Sequence, residues 1–341
     1  MSFAHQEMVF ARPDGALLAA DVGGTHARIA LVGASTDNRS AFSIQQYRNY
    51  PCADFPDLAA IFDAFRRDVA PGPVAAVALA IAGYVVDDAV VNVNLRWPVS
   101  IAGLRAVLDA PELAIINDFE AIAHAIGHID ASDALLLNGP DIAHTGAVLV
   151  VGPGTGLGAA LRIPHRDDWV ILPTESGHTT LAATTDLEAD VLCELRKRGR
   201  RVEIEHVLSG TGLANLDSAI RTLHGAPLLN LTPEQISAAA LAHSDPLAVE
   251  TIAVFCGWFG SMLGDLALFY GAQGGIYLAG GVLPKIRDLL VHSTFAERFV
   301  DKGGMREALA RIQIRLIDDE KLGVIGAASW FLSRDSNDET A

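Results

Sequence analysis

The sequence predicts a two-domain α/β protein, and three observations carry that prediction. The chain has 341 residues, half of them apolar, enough to bury a large core and to divide in two. Short apolar runs alternate with helical stretches along most of its length, which implies mostly parallel sheets with ligands beyond the carboxyl ends of strands. Glycine turns recur at the ends of those runs, at residues 23–24, 154–156 and 280–281.

The first element organises the rest. Residues 17–32 read LLAADVGGTHARIALV. Two apolar runs, LLAA and IALV, flank a polar centre and read as short buried strands. Gly23-Gly24 is a hairpin signal, because adjacent glycines tolerate positive φ and turns of type I′ or II′. The tip carries bare backbone N–H groups, the Thr25 hydroxyl, the Asp21 carboxylate and the Arg28 guanidinium. Those groups suit a polyphosphate with its metal: amides and hydroxyl hold phosphate oxygens, and the carboxylate reaches Mg2+ directly or through water. A plain glycine hairpin is the simpler alternative.

Residues 1–15 read as a loose leader. SIQQYRNY reads as a strand and residues 54–69 as a helix. Residues 74–82, VAAVALAIA, form a continuous apolar run, as expected of a strand covered on both faces. VVDDAVVNVNLRWPVS reads as a hairpin leading into a loop with Asn94 and Trp97, and Ser100 caps the helix IAGLRAVLDA. Residues 113–116 are another buried strand, ending at Asn117-Asp118. A helix follows, so Asp118 sits where a strand's carboxyl end meets a helix start. That is a place for a working carboxylate. An N-cap for the helix from Phe119 is the alternative, and the two roles are compatible.

A new strand at residues 147–151 runs into GPGTGLGAALRI. Gly154, Gly156 and Ala159 fit G-x-G-x-x-A, with Glu175 about the right distance on for a ribose carboxylate. A dinucleotide site also needs a helix there, and LGAALRIP is short, compatible with a strand and stopped by Pro164. A second glycine hairpin, with Thr155 facing phosphate, is preferred. In ILPTESGHTTLA, Glu175 and His178 have the i, i+3 spacing of a metal pair, but Pro173 and Gly177 disfavour a helix and no third ligand is spaced nearby. A polar loop that hydrogen-bonds a polyol fits better, with a surface loop as the alternative. By pattern alone Glu205, in VEIEHVLSGTGLANL, is an ordinary surface acid.

Residues 186–198, 232–241 and 246–271 read as helices, the last apolar almost all round and therefore core. Residues 275–278 form a strand running into Ala279-Gly280-Gly281-Val282, where bare backbone admits a flat ring or a ribose. A strand at 311–317 and a closing helix at 323–332, expected to return to the first domain, end the chain. The chain shows no clean internal repeat; DVGGT and AGGV are loosely alike, as two halves of a duplicated nucleotide-clamping fold would be, but that echo is too short to carry weight.

With 41 acids against 25 bases, the formal charge is −16. That balance argues against nucleic acid and anionic membranes, both of which need a basic face. The N-terminus lacks a signal pattern. The most apolar stretch, residues 252–263, is about half the length needed to cross a bilayer and reads as a buried helix. Three scattered cysteines suit a reducing cytoplasm and support neither a disulfide framework nor a zinc site.

Taken together, the motifs resemble those of bacterial glucokinases of the non-ROK group, within the sugar kinase, Hsp70 and actin superfamily. The likeness covers nearly the whole chain from about residue 17 and rests on LLAADVGGTHARIALV, NVNLRWPVS, IINDFEAIAHAI, VVGPGTGLGAAL, ESGH, EHVLSGTGLANL, IYLAGGVLPK and FVDKGGM. It implies the two-domain actin-like ATPase (ribonuclease H-like) fold, with a cleft between a small domain of residues 1–128 plus 320–341 and a large domain of residues 129–319. It implies ATP-dependent phosphorylation of glucose at the 6-hydroxyl by a cytoplasmic homodimer. Asp118 matches the general base. Asn117, Glu175, His178 and Glu205 match residues that hydrogen-bond the sugar, with Asn94 on the same side. Ala20, Asp21, Val22, Gly23, Gly24 and Thr25 match the first phosphate loop, Gly154, Thr155 and Gly156 the second, and Gly280 with Gly281 the adenosine side. ATP and Mg2+ are the implied cofactors, with Asp21 nearest the metal.

Three departures stand out. Ser176 occupies a position where glycine is usual, Val93 precedes Asn94 where threonine is common, and the leader is longer than the family needs. They bear on sugar selectivity, not on the reaction. The alternatives are a kinase for another hexose or an amino sugar, one using another phosphoryl donor such as polyphosphate, or a non-catalytic sugar sensor. Transcriptional sensors carry a DNA-binding domain, for which the early first strand and the acidic charge leave no place.

Overall fold

The computed structural model describes residues 15–35, 42–91, 95, 97–142, 145–166, 168–197, 199 and 201–338. Residues 1–14 of the leader, Val93 and Asn94 fall outside these residues. The chain forms two compact units, residues 1–129 with 319–341, and residues 130–318.

The first unit begins with β1 (Ala16–Val22), β2 (His26–Ala34) and β3 (Phe42–Pro51). After α1 (Leu58–Val69) comes β4 (Val74–Ile81). A small sheet of β5 (Tyr84–Val86), β6 (Ala89–Val91) and β7 (Val99–Ser100) follows. Then come α2 (Ile101–Leu108), β8 (Glu112–Asn117) and α3 (Asp118–Ala125). The main sheet has the order β3-β2-β1-β4-β8. β1, β4 and β8 run parallel, while β2 and β3 are antiparallel neighbours.

Alternation along β1 and β4 makes the two faces of this sheet different. Leu18, Val22, Val77, Leu79 and Ile81 pack with α1 and α2. Leu17, Ala19, Ala76, Ala78 and Ala80 pack with Val324, Ala327, Ala328 and Phe331 of the C-terminal helix, Leu322–Asp338. Small side chains on that face let the helix lie close to the sheet.

The second unit holds β9 (Ala134–Asn138), β10 (Val148–Pro153), β11 (Leu157–His165) and β12 (Asp168–Thr174). Four helices follow: α4 (Asp186–Arg196), α5 (Gly210–Leu223), α6 (Pro233–Leu241) and α7 (Pro246–Tyr270). The unit ends with β13 (Gly275–Leu278), α8 (Arg287–Val291), α9 (Phe295–Val300), α10 (Arg306–Leu309) and β14 (Ile314–Ile317). Its sheet has the order β12-β11-β10-β13-β14-β9. By length and composition α7 is apolar enough to cross a membrane, yet 72% of its most apolar window is buried inside the unit; it is the core helix.

Leaving out β9, the strand order is third, second, first, fourth, fifth in both units. The topology is therefore duplicated. The counterpart of the Gly23-Gly24 turn is Gly154–Gly156, between first and second strands. Gly280-Gly281 follows the fourth strand, so the likeness of DVGGT to AGGV joins non-equivalent turns.

Three expectations are corrected. The sheets are mixed, not mostly parallel, because strands close in sequence pair as antiparallel neighbours and only helical crossovers give parallel pairs. The first helix starts at Leu58, not at residue 54, because Phe55 precedes Pro56 and is extended at φ −128° and ψ 145°; Asp57 provides the cap. The last strand starts at Ile314, since α10 occupies residues 306–309 just before it.

Candidate functional site

In the first unit the parallel strands end together, with Val22 paired to Ile81 and Ile81 to Asn117. The Gly23–Thr25 turn and Asp118 therefore leave the same edge of the sheet. Asp21 lies one residue before the end of β1, and Arg28 Nη1 donates to its Oδ2 at 3.3 Å. Burial pushes the Asp21 carboxyl above the usual range, and Arg28 only partly offsets this. A half-buried carboxylate offset by only one guanidinium fits a hard, oxygen-seeking cation such as Mg2+. Gly323 is required beside it, because a Cβ there would come within 2.4 Å of Asp21 Cγ.

The first turn closes when the Gly23 N–H donates to His26 O at 3.0 Å. Gly23 does not take the positive φ of a type I′ or II′ turn, and a Cβ on it would meet nothing nearer than His26 O at 3.8 Å. Glycine here leaves the backbone bare and does not supply a special turn angle. Asp118 is also corrected: it is the first residue of α3, and the N-cap is Asn117. The Asn117 Oδ1 accepts from the N–H groups of Phe119 at 3.0 Å and Glu120 at 3.1 Å. The Phe119 N–H also donates to Asp118 Oδ1 at 2.9 Å, which orients that carboxylate.

In the second unit β10 and β11 form the preferred glycine hairpin, with Pro153 paired to Leu157. β11 removes the helix that a dinucleotide fingerprint requires. Gly154 O accepts from the Gly210 N–H at 2.8 Å, at the start of α5, and Thr155 O accepts from the Thr211 hydroxyl at 3.2 Å. Gly280 has φ +88°, and a Cβ there would lie 2.7 Å from Pro153 O. Both glycine turns and the start of α5 thus meet around Pro153 and Gly154. A Cβ on Gly154 or Gly281 would meet nothing within 4 Å, so these glycines border open space.

Next to this hairpin lie Glu175, His178 and Glu205. A short 3-10 turn, Ser176–His178, follows β12, and a second, Ile204–His206, carries Glu205. Backbone bonds from Leu181 N to Val202 O at 3.1 Å and from Ile204 N to Thr179 O at 2.9 Å join the two segments. Glu205 is not a surface acid: its side chain is 15% exposed and its Oε2 accepts from the Leu157 N–H at 3.2 Å. His178 Nε2 lies 3.8 Å from Glu175 Oε2, and Nδ1 lies 3.6 Å from Glu205 Oε1. The surrounding carboxylates hold the His178 imidazole above its ordinary pKa, chiefly through a hydrogen bond to Glu203.

Glu203 was not singled out from the sequence. The available signal was VEIEH, where carboxylates two apart share a face of an extended segment. Its presence also corrects the expectation that no third ligand stands near His178, since His178, Glu203 and Glu205 place ligand atoms within 4.8 Å of one another. His178 Nδ1 already donates to Glu203 Oε2 at 2.9 Å, so the group is closed by a direct hydrogen bond and needs no cation. Glu175 and His178 are not on an α-helix, as Pro173 and Gly177 led one to expect.

Known proteins match this chain in sequence and fold. A glucokinase-like protein of Xylella fastidiosa (strain 9a5c) is 44% identical over 318 residues, 93% of this chain and 95% of the relative. The crystal structure of a glucokinase from an Antarctic psychrotroph is 36% identical, with a TM-score of 0.77 over 93% of this chain and 98% of that one. The glucokinase of Balamuthia mandrillaris, crystallised in complex with glucose, shares the fold at 20% identity, with a TM-score of 0.77 over 94% of each chain. These neighbours have the two-domain actin-like ATPase fold. A family model for glucokinase matches residues 18–334, and the chain belongs to the glucokinase family.

Proposed function

We propose that this protein transfers the γ-phosphoryl group of ATP to the 6-hydroxyl of glucose. The observation that carries the reading is a coupling inside the second unit. Glu205 accepts from Leu157, the residue after Gly156, while Gly210, at the start of the following helix, donates to Gly154. A phosphate-type turn and a polyol-type cluster are thus held by one connected set of hydrogen bonds.

Asp118 is the base. It accepts the 6-hydroxyl proton as that oxygen attacks the γ-phosphorus. Asn117 has its carboxamide oxygen engaged by α3, so its NH2 group is what it offers the sugar. Glu175 and Glu205 accept from sugar hydroxyls, and His178 completes the set. An acceptor left unmatched costs about 1–3 kcal/mol, so each missing or inverted hydroxyl is rejected by about tenfold or more. Amides of the Gly23–Thr25 and Gly154–Gly156 turns face the phosphates, and Gly280 with Gly281 admits the adenosine. Asp21 is the residue to hold Mg2+, which when bound neutralises phosphate charge. A cytoplasmic homodimer is part of the same proposal.

The test is ADP release with MgATP and a panel of hexoses. Glucose should support turnover. Asp118→Asn should lower kcat by about 10²–10⁴-fold while glucose still raises the melting temperature. A variant with near-normal kcat would remove Asp118 from the base role. Silence of the wild type with every hexose would sink the kinase reading.

A further inference from the structure

The imidazole of His178 meets more carboxylate than one sugar contact requires. Glu175 faces it from its own turn, and Glu203 and Glu205 face it from the segment paired alongside. Arg201 flanks the group, donating to His178 O and lying 3.8 Å from Glu203 Oε1. His206 lies behind Glu203, its Nδ1 accepting the Glu203 N–H at 3.2 Å.

We propose that Glu203 is a positioning residue of the sugar site, clamping Nδ1–H of His178 so that Nε2 is turned toward Glu175 and the substrate hydroxyl. The identity of that hydroxyl rests on the glucokinase reading; the clamp does not. Four observations support it. The contact at 2.9 Å is a full hydrogen bond, and an ionised carboxylate only accepts, so Nδ1 carries the proton. Nε2 is 3.8 Å from Glu175, beyond direct bonding, which leaves it available to a hydroxyl at that side. Glu205, the other carboxylate near Nδ1, has its Oε2 engaged by the Leu157 backbone. Glu203 is itself only 21% exposed and anchored from behind by Arg201 and the paired backbone.

The charge of Glu203 has a directional consequence. It favours the imidazolium, and its own carboxyl is held below the usual range by the same bond. Replacing it by an uncharged group must move the His178 titration to lower pH, whichever protonation state the sugar prefers.

The experiment combines two readouts on the full chain carrying Glu203→Gln or Glu203→Ala. The first is the NMR titration of the His178 ring in ligand-free protein, assigned with a His178→Gln variant. In Glu203→Gln the inflection should fall by about one pH unit. The second is kinetics with glucose and MgATP. Glu203→Ala should raise the glucose KM about tenfold, with kcat falling less and the ATP KM staying within about twofold; Glu203→Gln, which keeps the acceptor, should raise it less. An unmoved inflection in Glu203→Gln, or a glucose KM within about twofold of wild type in Glu203→Ala, overturns the proposal. Should the wild type itself make no ADP from glucose, the glucokinase reading fails and the ring titration still judges the clamp.

Discussion

Ser176 stands where the family resemblance leads one to expect glycine, and its surroundings show what the hydroxyl does. The side chain is buried, 2.9 Å from Thr174 Oγ1 and 2.8 Å from Tyr270 Oη. Thr174 donates to Ala159 O at 3.2 Å, so it must accept from Ser176, which in turn accepts from Tyr270. One directed chain ties the end of α7 to β11 through the turn that carries His178. Ser176→Ala strands a donor and an acceptor, and should lower stability by about 1–3 kcal/mol in urea denaturation. Tyr270→Phe should cost less than additively in the double variant, because both break the same chain. A loss below about 0.5 kcal/mol for Ser176→Ala would dismiss the chain as a stabilising feature. The same residues mark the limit of what the sequence discloses. Glycine turns, Asp118 and the polar ESGH loop are visible locally. The backbone donor that holds Glu205 is Leu157, 48 residues away, and the partner of His178 lies 25 residues on. No local pattern encodes such pairings. Asn117 and Asp118 are both N-cap types, and adjacent candidates could not be separated without the backbone.

Glycines set how closely the helices approach. Added Cβ atoms at Gly257, Gly260 and Gly264 of α7 would lie 2.7 Å from Thr294 Oγ1, 2.1 Å from Phe295 O and 2.4 Å from Phe299 O. Spacings of three and four place them on one face, so α9 sits directly on the α7 backbone. The C-terminal helix uses the same device, since a Cβ on Gly326 would come within 1.7 Å of Ala121 O. Backbone cannot yield as a flexible side chain does. Gly326→Ala should therefore destabilise the protein by about 1–3 kcal/mol through overpacking. Gly304→Ala, with nothing within 4 Å of the added atom, should change stability by less than about 0.5 kcal/mol. Equal melting temperatures for the two variants would refute close packing at Gly326. The apolar character of α7 was legible as core, and alternating strands and helices were legible as α/β layers. Mixed pairing was harder to read, because a glycine turn looks much alike whether a strand or a helix follows it.

At the scale of the molecule the duplicated topology is the fact least visible in the sequence. Two sheets with one strand order share no repeat that the residues display, because a fold constrains burial and turn geometry far more than identity. The chain leaves the first unit after residue 129 and re-enters it at residue 319, so the second unit is an insertion. Their cores differ in self-sufficiency. The largest core cluster is drawn wholly from residues 149–316, inside the insertion. One face of the first unit, by contrast, is Leu17, Ala19, Ala76, Ala78 and Ala80, completed by residues from the end of the chain. Residues 130–318 expressed alone should fold cooperatively, with sigmoidal loss of circular dichroism on heating. Residues 1–129 alone should not, because alanines uncovered by the C-terminal helix bury too little apolar area to offset the backbone entropy of about 1–2 kcal/mol per residue. Supplying residues 319–338 as a peptide should then restore a cooperative transition to the fragment. Cooperative unfolding of residues 1–129 without the peptide would show that the closing helix is dispensable, and an unfolded 130–318 would show that the insertion depends on its host.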